Sequence, residues 1–105
     1  MSGISTHVLD TAKGTPAAGI KVRLLRADAA IGSGVTGQDG RVQALLPEGV
    51  TLEPGCYTIL FELGDYFPQG FYSEVSITFV VRDSTAHYHI PLLISPFGYT
   101  TYRGS

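Results

Sequence analysis

Three histidines, His7, His87 and His89, dominate the chemistry this chain can offer. An imidazole titrates near neutral pH, so it can take or give a proton there. His87 and His89 lie two residues apart. An extended strand therefore points both to one face and turns Tyr88, Ile90 and Leu92 to the other. His7 shares a face with Ser5 and Leu9 on a strand of its own. Residue types alone leave three readings open. Each histidine can be a surface or half-buried side chain satisfied by one hydrogen bond, which is the better expectation for an arbitrary histidine. Two imidazoles can divide the roles of base and acid over one substrate. Three can ligate a zinc ion that keeps water in its fourth position, although no cysteine or carboxylate stands beside the pair to strengthen such a site.

Arg41 directly follows the turn Gln38-Asp39-Gly40. Position alone favours a solvated arginine at a strand start. The alternative is a clamp for an anion or oxyanion, because a guanidinium presents planar paired donors. Arg103 poses the same choice within Tyr102-Arg103-Gly104-Ser105. Phe97, Tyr99 and Tyr102 make that segment aromatic, so it is expected to pack rather than fray. Cys56 has no neighbouring base to activate it and reads as a small core residue. The acidic residues are scattered, and no nucleophile elbow, phosphate loop or dinucleotide fingerprint occurs.

The elements that must hold these groups repeat with a period of two. Ile20, Val22 and Leu24 alternate with Lys21, Arg23 and Leu25, and Val75, Ile77, Phe79 and Val81 with Ser76, Thr78, Val80 and Arg82. Strands are expected over Ile4–Asp10, Ile20–Arg26, Gly34–Thr36, Arg41–Leu46, Cys56–Leu63, Val75–Arg82, His87–Leu93 and Thr100–Arg103. One short helix is expected within Asp65–Gly70. Gly and Pro punctuate the intervals, as in Gly14-Thr15-Pro16 and Glu53-Pro54-Gly55. Strand-sized runs with frequent turns indicate an all-β antiparallel sandwich.

Composition narrows the function classes. The chain has 105 residues, enough for one domain spanning 1–105. It carries 7 Lys and Arg against 9 Asp and Glu, with no basic run, which argues against nucleic acid or an anionic membrane as the main partner. Hydrophobic residues make up 44% and charged residues only 15%, against roughly 25% charged in an average soluble domain. That balance excludes intrinsic disorder and points to an oligomer. A single cysteine and an N-terminus without signal-peptide character lead to the expectation of a cytoplasmic protein.

Along nearly its whole length the chain resembles the transthyretin-related 5-hydroxyisourate hydrolases. Ser5-Thr6-His7-Val8-Leu9-Asp10-Thr11 is similar to that family's first strand, and Gly14-Thr15-Pro16-Ala17-Ala18-Gly19 to its first turn. Asp39-Gly40-Arg41 resembles its turn and arginine. Many prealbumin-like modules share such early patterns. The specific segments are His87-Tyr88-His89-Ile90-Pro91-Leu92-Leu93 and Tyr102-Arg103-Gly104-Ser105. The resemblance implies a prealbumin-like sandwich of two four-stranded sheets. It further implies a homotetramer whose active sites lie at the dimer–dimer interface, with the terminal tetrapeptide folded into them. His7, Arg41, His89 and Ser105 would be catalytic, Tyr102, Arg103 and Gly104 would bind substrate, and His87 would support them. Neither metal nor organic cofactor is implied.

The implied reaction is hydrolysis of 5-hydroxyisourate in urate degradation. Water opens the six-membered ring at an amide-like C–N bond and gives 2-oxo-4-hydroxy-4-carboxy-5-ureidoimidazoline. One histidine would deprotonate the water while Arg41 stabilises the developing oxyanion. Ser73 departs from the pattern, since many relatives have proline there, and Gly64–Gly70 looks compact. The competing readings are a transthyretin-like carrier without catalysis, a spacer module of the same fold and a zinc hydrolase. Neither a carrier nor a spacer needs the histidine and arginine signature.

Overall fold

Among residues 3–105, which the computed structural model describes, every regular element is a strand. They are β1 (Gly3–Asp10), β2 (Thr15–Pro16), β3 (Lys21–Arg26), β4 (Ala29–Val35), β5 (Arg41–Val42), β6 (Gly55–Glu62), β7 (Glu74–Val81), β8 (His87–Ser95) and β9 (Gly98–Thr101). They form two sheets. One has the order β4-β3-β6-β7, the expected four strands. The other runs β2-β1-β8-β9, with β5 also on β1. Its fifth strand arises because the dipeptide strands β2 and β5 pair with different stretches of β1.

The two-residue period fixes which side chains enter the core. On β3, Val22 and Leu24 are buried while Lys21 and Arg23 face solvent. Tyr57, Ile59 and Phe61 of β6 meet Ile4 and Val8 of β1 and Tyr88, Ile90, Leu92 and Ile94 of β8 in one apolar cluster. Burying each large apolar side chain contributes about 1.5–3 kcal/mol. The polar groups sealed in with them are partnered. Thr6 donates to the Ile90 carbonyl at 2.6 Å, and Thr36 donates to that of Ala17 at 2.7 Å. Asp10 accepts from Tyr66 Oη at 2.7 Å and from the amides of Ala12 and Lys13.

Several local expectations are corrected. The sandwich is not wholly antiparallel, because β1 and β8 run parallel from Gly3↔His87 to Asp10↔Ile94. Parallel neighbours require a long crossover, and here the whole β4-β3-β6-β7 sheet supplies it. The expected Gly34–Thr36 strand is the end of the longer β4. Its hairpin to β3 turns on Ala27 and Asp28, with φ of 50° and 66°, a two-residue loop with both residues left-handed. The run Arg41–Leu46 pairs only as Arg41–Val42. Beyond it the chain bends so that Leu45 is buried while its amide still donates to the Ile4 carbonyl.

No helix forms in Asp65–Gly70. A single turn closes from the Phe67 amide to the Leu63 carbonyl at 2.8 Å, and Pro68 then removes a donor and disfavours helical geometry at Phe67. The last strand is β9 rather than Thr100–Arg103, set by a hairpin that pairs Ser95 with Gly98. Cys56 is exposed, not core, because Tyr57 beside it takes the inward face of β6.

Candidate active site

Register across the β2-β1-β8-β9 sheet builds the site on its outer face. His7 of β1 lies opposite Arg41 of β5 and beside Pro91 of β8. One step along, Ser5 lies beside His89, and His89 bridges to Gly104 of the terminal segment. Two rows of side chains thus run across three strands, and their inward-facing neighbours Thr6, Val8, Tyr88 and Ile90 are fixed in the core.

Arg41 is placed by its turn. Gly40 has φ of 77°, and a Cβ there would strike the Val8 carbonyl. Only glycine lets the turn lie against β1, where the Val8 amide donates to the Gly40 carbonyl at 2.7 Å. The Asp39 side chain accepts from the Arg41 amide at 3.0 Å. The Asp-Gly-Arg sequence therefore delivers the guanidinium to the edge of β1 beside His7.

His87 and His89 share one partner. Ser5 Oγ lies 2.8 Å from His87 Nε2 and 2.8 Å from His89 Nδ1. Ser5 is buried and had no assigned role in the sequence, although its position two residues before His7 puts it on the same face. The terminal segment closes the site from the far side, where the Gly104 amide donates to the His89 carbonyl at 2.8 Å.

These residues surround a cavity of about 470 Å³ whose lining includes His7, Arg41, His89, Tyr102, Gly104 and Ser105, together with Ser5 and His87. Of the seven residues singled out in the sequence, six are brought together. Arg103 is not among them. Its guanidinium sits 4.7 Å from the centre of the Tyr88 ring and lines a separate, mainly apolar pocket of about 160 Å³. The alternation along Tyr102-Arg103-Gly104 sends it to the opposite side, where it makes a cation–π contact with Tyr88.

Electrostatics favour a neutral imidazole at the centre. Burial first, and then the charges of Arg41, His7 and His87, hold His89 below the ordinary histidine value of 6.5, with the Ser5 backbone opposing them. A neutral ring at pH 7 can accept a proton. Arg41 beside it supplies a fixed positive charge for a developing oxyanion. No three described His, Cys, Asp and Glu side chains converge as metal ligands.

The sandwich and this site have counterparts. The HIUase/Transthyretin family profile matches residues 4–104. The 5-hydroxyisourate hydrolase of Deinococcus radiodurans is 43% identical, with 98% of this chain and 96% of that protein covered. The solved 5-hydroxyisourate hydrolase of Klebsiella pneumoniae superposes with a TM-score of 0.89 at 37% identity, covering 100% of this chain and 94% of that one. Transthyretin from Sparus aurata superposes with a TM-score of 0.86 at 28% identity, covering 99% and 97%. The match runs through every strand that carries the histidines and the arginine, and the chain belongs to the HIUase/Transthyretin family.

Proposed function

We propose that this protein hydrolyses 5-hydroxyisourate to 2-oxo-4-hydroxy-4-carboxy-5-ureidoimidazoline. The observation that carries the reading is the convergence of His7, Arg41, His89 and Ser105 on one cavity. Its volume of about 470 Å³ lies within the range of small-molecule sites. The relatives named as hydrolases of this substrate are more similar to the chain than the transthyretin is. A hydrophobic carrier has no use for a half-buried imidazole beside a guanidinium.

In the proposed mechanism, neutral His89 takes a proton from water as the oxygen attacks the ring carbonyl. The carbonyl oxygen gains negative charge, and Arg41 meets it. The C–N bond then breaks, and the leaving nitrogen receives a proton from one of the histidines that line the cavity. Ser105 and Tyr102 orient the substrate, and Gly104 keeps the segment that carries them against β8. Each acid–base contribution is on the order of 10²–10⁴-fold. No metal or organic cofactor enters the scheme.

The same reading includes a single catalytic domain over residues 1–105, a homotetramer with active sites at the dimer–dimer interface, and a cytoplasmic setting. Exposed Val80 on edge strand β7, Tyr99 on edge strand β9 and Phe97 beside it support assembly through these edges. No helix is long and apolar enough to cross a membrane among the described residues.

The test is a coupled assay. Urate oxidase generates 5-hydroxyisourate in the cuvette, and its absorbance decay is followed with and without this protein. Accelerated decay that survives a chelator and disappears in His89→Ala supports the proposal. Decay at the spontaneous rate with folded protein present overturns it.

A further inference from the structure

Ser5 has one hydroxyl hydrogen, yet two imidazole nitrogens lie 2.8 Å from its oxygen. A hydroxyl donates one hydrogen bond and accepts others. If Ser5 donates to His89 Nδ1, it must accept from a protonated His87 Nε2. If it donates to His87 Nε2, it must accept from a protonated His89 Nδ1. The protonation pattern of one ring therefore dictates that of the other. In the second arrangement neutral His89 has its free lone pair at Nε2 and is a base there. In the first, Nε2 carries the hydrogen and is an acid.

We infer that Ser5 and His87 form a proton relay that switches His89 between base and acid, so that Ser5 and His87 are positioning residues for the reaction. The inference rests on the hydrolase reading. His89 Nε2 takes a proton from water, His89 Nδ1 gives its own to Ser5 Oγ, and Ser5 gives its hydroxyl proton to His87 Nε2. His89 remains neutral with its hydrogen on the other nitrogen, and His87 becomes the imidazolium. Reversal returns the proton to the leaving nitrogen through His89 Nε2.

Two placements favour moving the charge outward. His89 is partly buried and faces His7 from β1, Arg41 from β5 and His87 from its own strand, so a cation there is opposed by burial and by like charge. Arg103, from the terminal segment, lies on the other side against Tyr88. His87 is exposed, where water stabilises an imidazolium and exchanges its proton. Ser5 is the buried connection between the two.

The variants Ser5→Ala, Ser5→Thr and His87→Gln test this. Ser5→Ala should lower kcat by about 10²-fold with KM unchanged. Ser5→Thr keeps the hydroxyl and should restore kcat. His87→Gln keeps a hydrogen-bonding group but cannot hold the proton, so it should lose as much as Ser5→Ala, and the double variant should lose no more. Losses that multiply in the double variant, or an unchanged kcat in Ser5→Ala, overturn the relay. Should Ser5→Ala not fold, His87→Gln against Ser5→Thr carries the same comparison. A measurement without substrate separates this from the hydrolase reading. By nitrogen-15 NMR, the His89 tautomer should follow the titration of His87 in the wild type and cease to do so in Ser5→Ala. A tautomer that follows His87 equally in both overturns the relay, whatever the enzyme's substrate.

Discussion

Gly104 lies flat against His89. Its amide donates to the His89 carbonyl at 2.8 Å, and a Cβ built on it would stand 2.5 Å from His89 Cδ2 and 3.1 Å from Pro91 Cγ. A methyl group there must displace the ring or lift the terminal segment away. Gly104→Ala should therefore keep the folded sandwich and lower kcat/KM by about 10²-fold, the scale of a 1 Å misplacement in a catalytic constellation. Steady-state kinetics beside a far-UV spectrum measure both halves. Full activity would mean that the segment does not position the site.

Arg41→Lys keeps the charge and removes the planar fork. If the guanidinium meets an oxyanion with paired donors, kcat/KM should fall by about 10²–10³-fold, the scale of losing an oxyanion donor. Activity equal to the wild type would show that charge alone suffices.

The acid limb of the pH–rate profile should lie below 6.5. The pKa of His89 is lowered by burial and then by Arg41, His7 and His87, so the neutral base survives to lower pH than a free imidazole. Arg41→Gln removes one of the opposing charges. An NMR titration of that variant should find the His89 pKa raised, and an unmoved value would exclude the guanidinium as a cause. The same depression links His89 to stability. The unfolded ring binds its proton at higher pH than the folded one, so the folded state is favoured above about 6.5 and loses that contribution as pH falls through the folded pKa.

Tyr66 and Asp10 give a second pH signature, away from the cavity. Burial raises the Asp10 pKa, but hydrogen bonds from Tyr66 and from the Lys13 and Ala12 amides outweigh it and hold the carboxyl below 3.8. Tyr66 is pushed up to about 12 by burial and by Asp10. Tyr66→Phe should cost about 1.5–3 kcal/mol at neutral pH, the range for a hydrogen bond to a charged group. The folded pKa of Asp10 lies below its unfolded value, so this stabilisation is present above 3.8 and fades as pH falls through the folded pKa. Urea denaturation of both proteins at pH 7 and near pH 3 should find the difference shrinking in acid. An undiminished difference would assign it to packing.

Deleting Tyr102–Ser105 removes Ser105 and the wall that Tyr102 and Gly104 provide. Turnover should fall by at least about 10²-fold while the sandwich stays folded, because β9 ends at Thr101. A truncated protein with full activity would exclude the segment from the site.

Much of this arrangement is legible in residue order. The two-residue period placed His87 and His89 together opposite Tyr88, Ile90 and Leu92, and they lie so. What period alone does not carry is which strands become neighbours. The parallel pairing of β1 with β8 sets Ser5 between the two rings, and nothing local to Ser5 announces it. The hairpin at Ala27–Asp28 lacks the glycine that usually marks left-handed residues, so nothing local marks β4 before Gly34 as a strand. The side on which Arg103 falls depends on the strand ending at Thr101, two residues before the expected boundary. The family resemblance located the terminal segment at the site, and the register decided which of its side chains point inward.

The pairing of β1 with β8 also bears on how the protein comes to be folded. Ser5 and His89 are 84 positions apart, and contacts of such sequence separation close late and slowly. While the chain is being synthesised, β1 is made first but must wait for the final fifth of the sequence before its longest partner exists. Until then its exposed edge is open to mispairing with other chains. The groups that would do the chemistry are spread along the chain from His7 through Arg41 to His89 and Ser105, so an incomplete chain has no site, and catalysis would itself report that folding has finished.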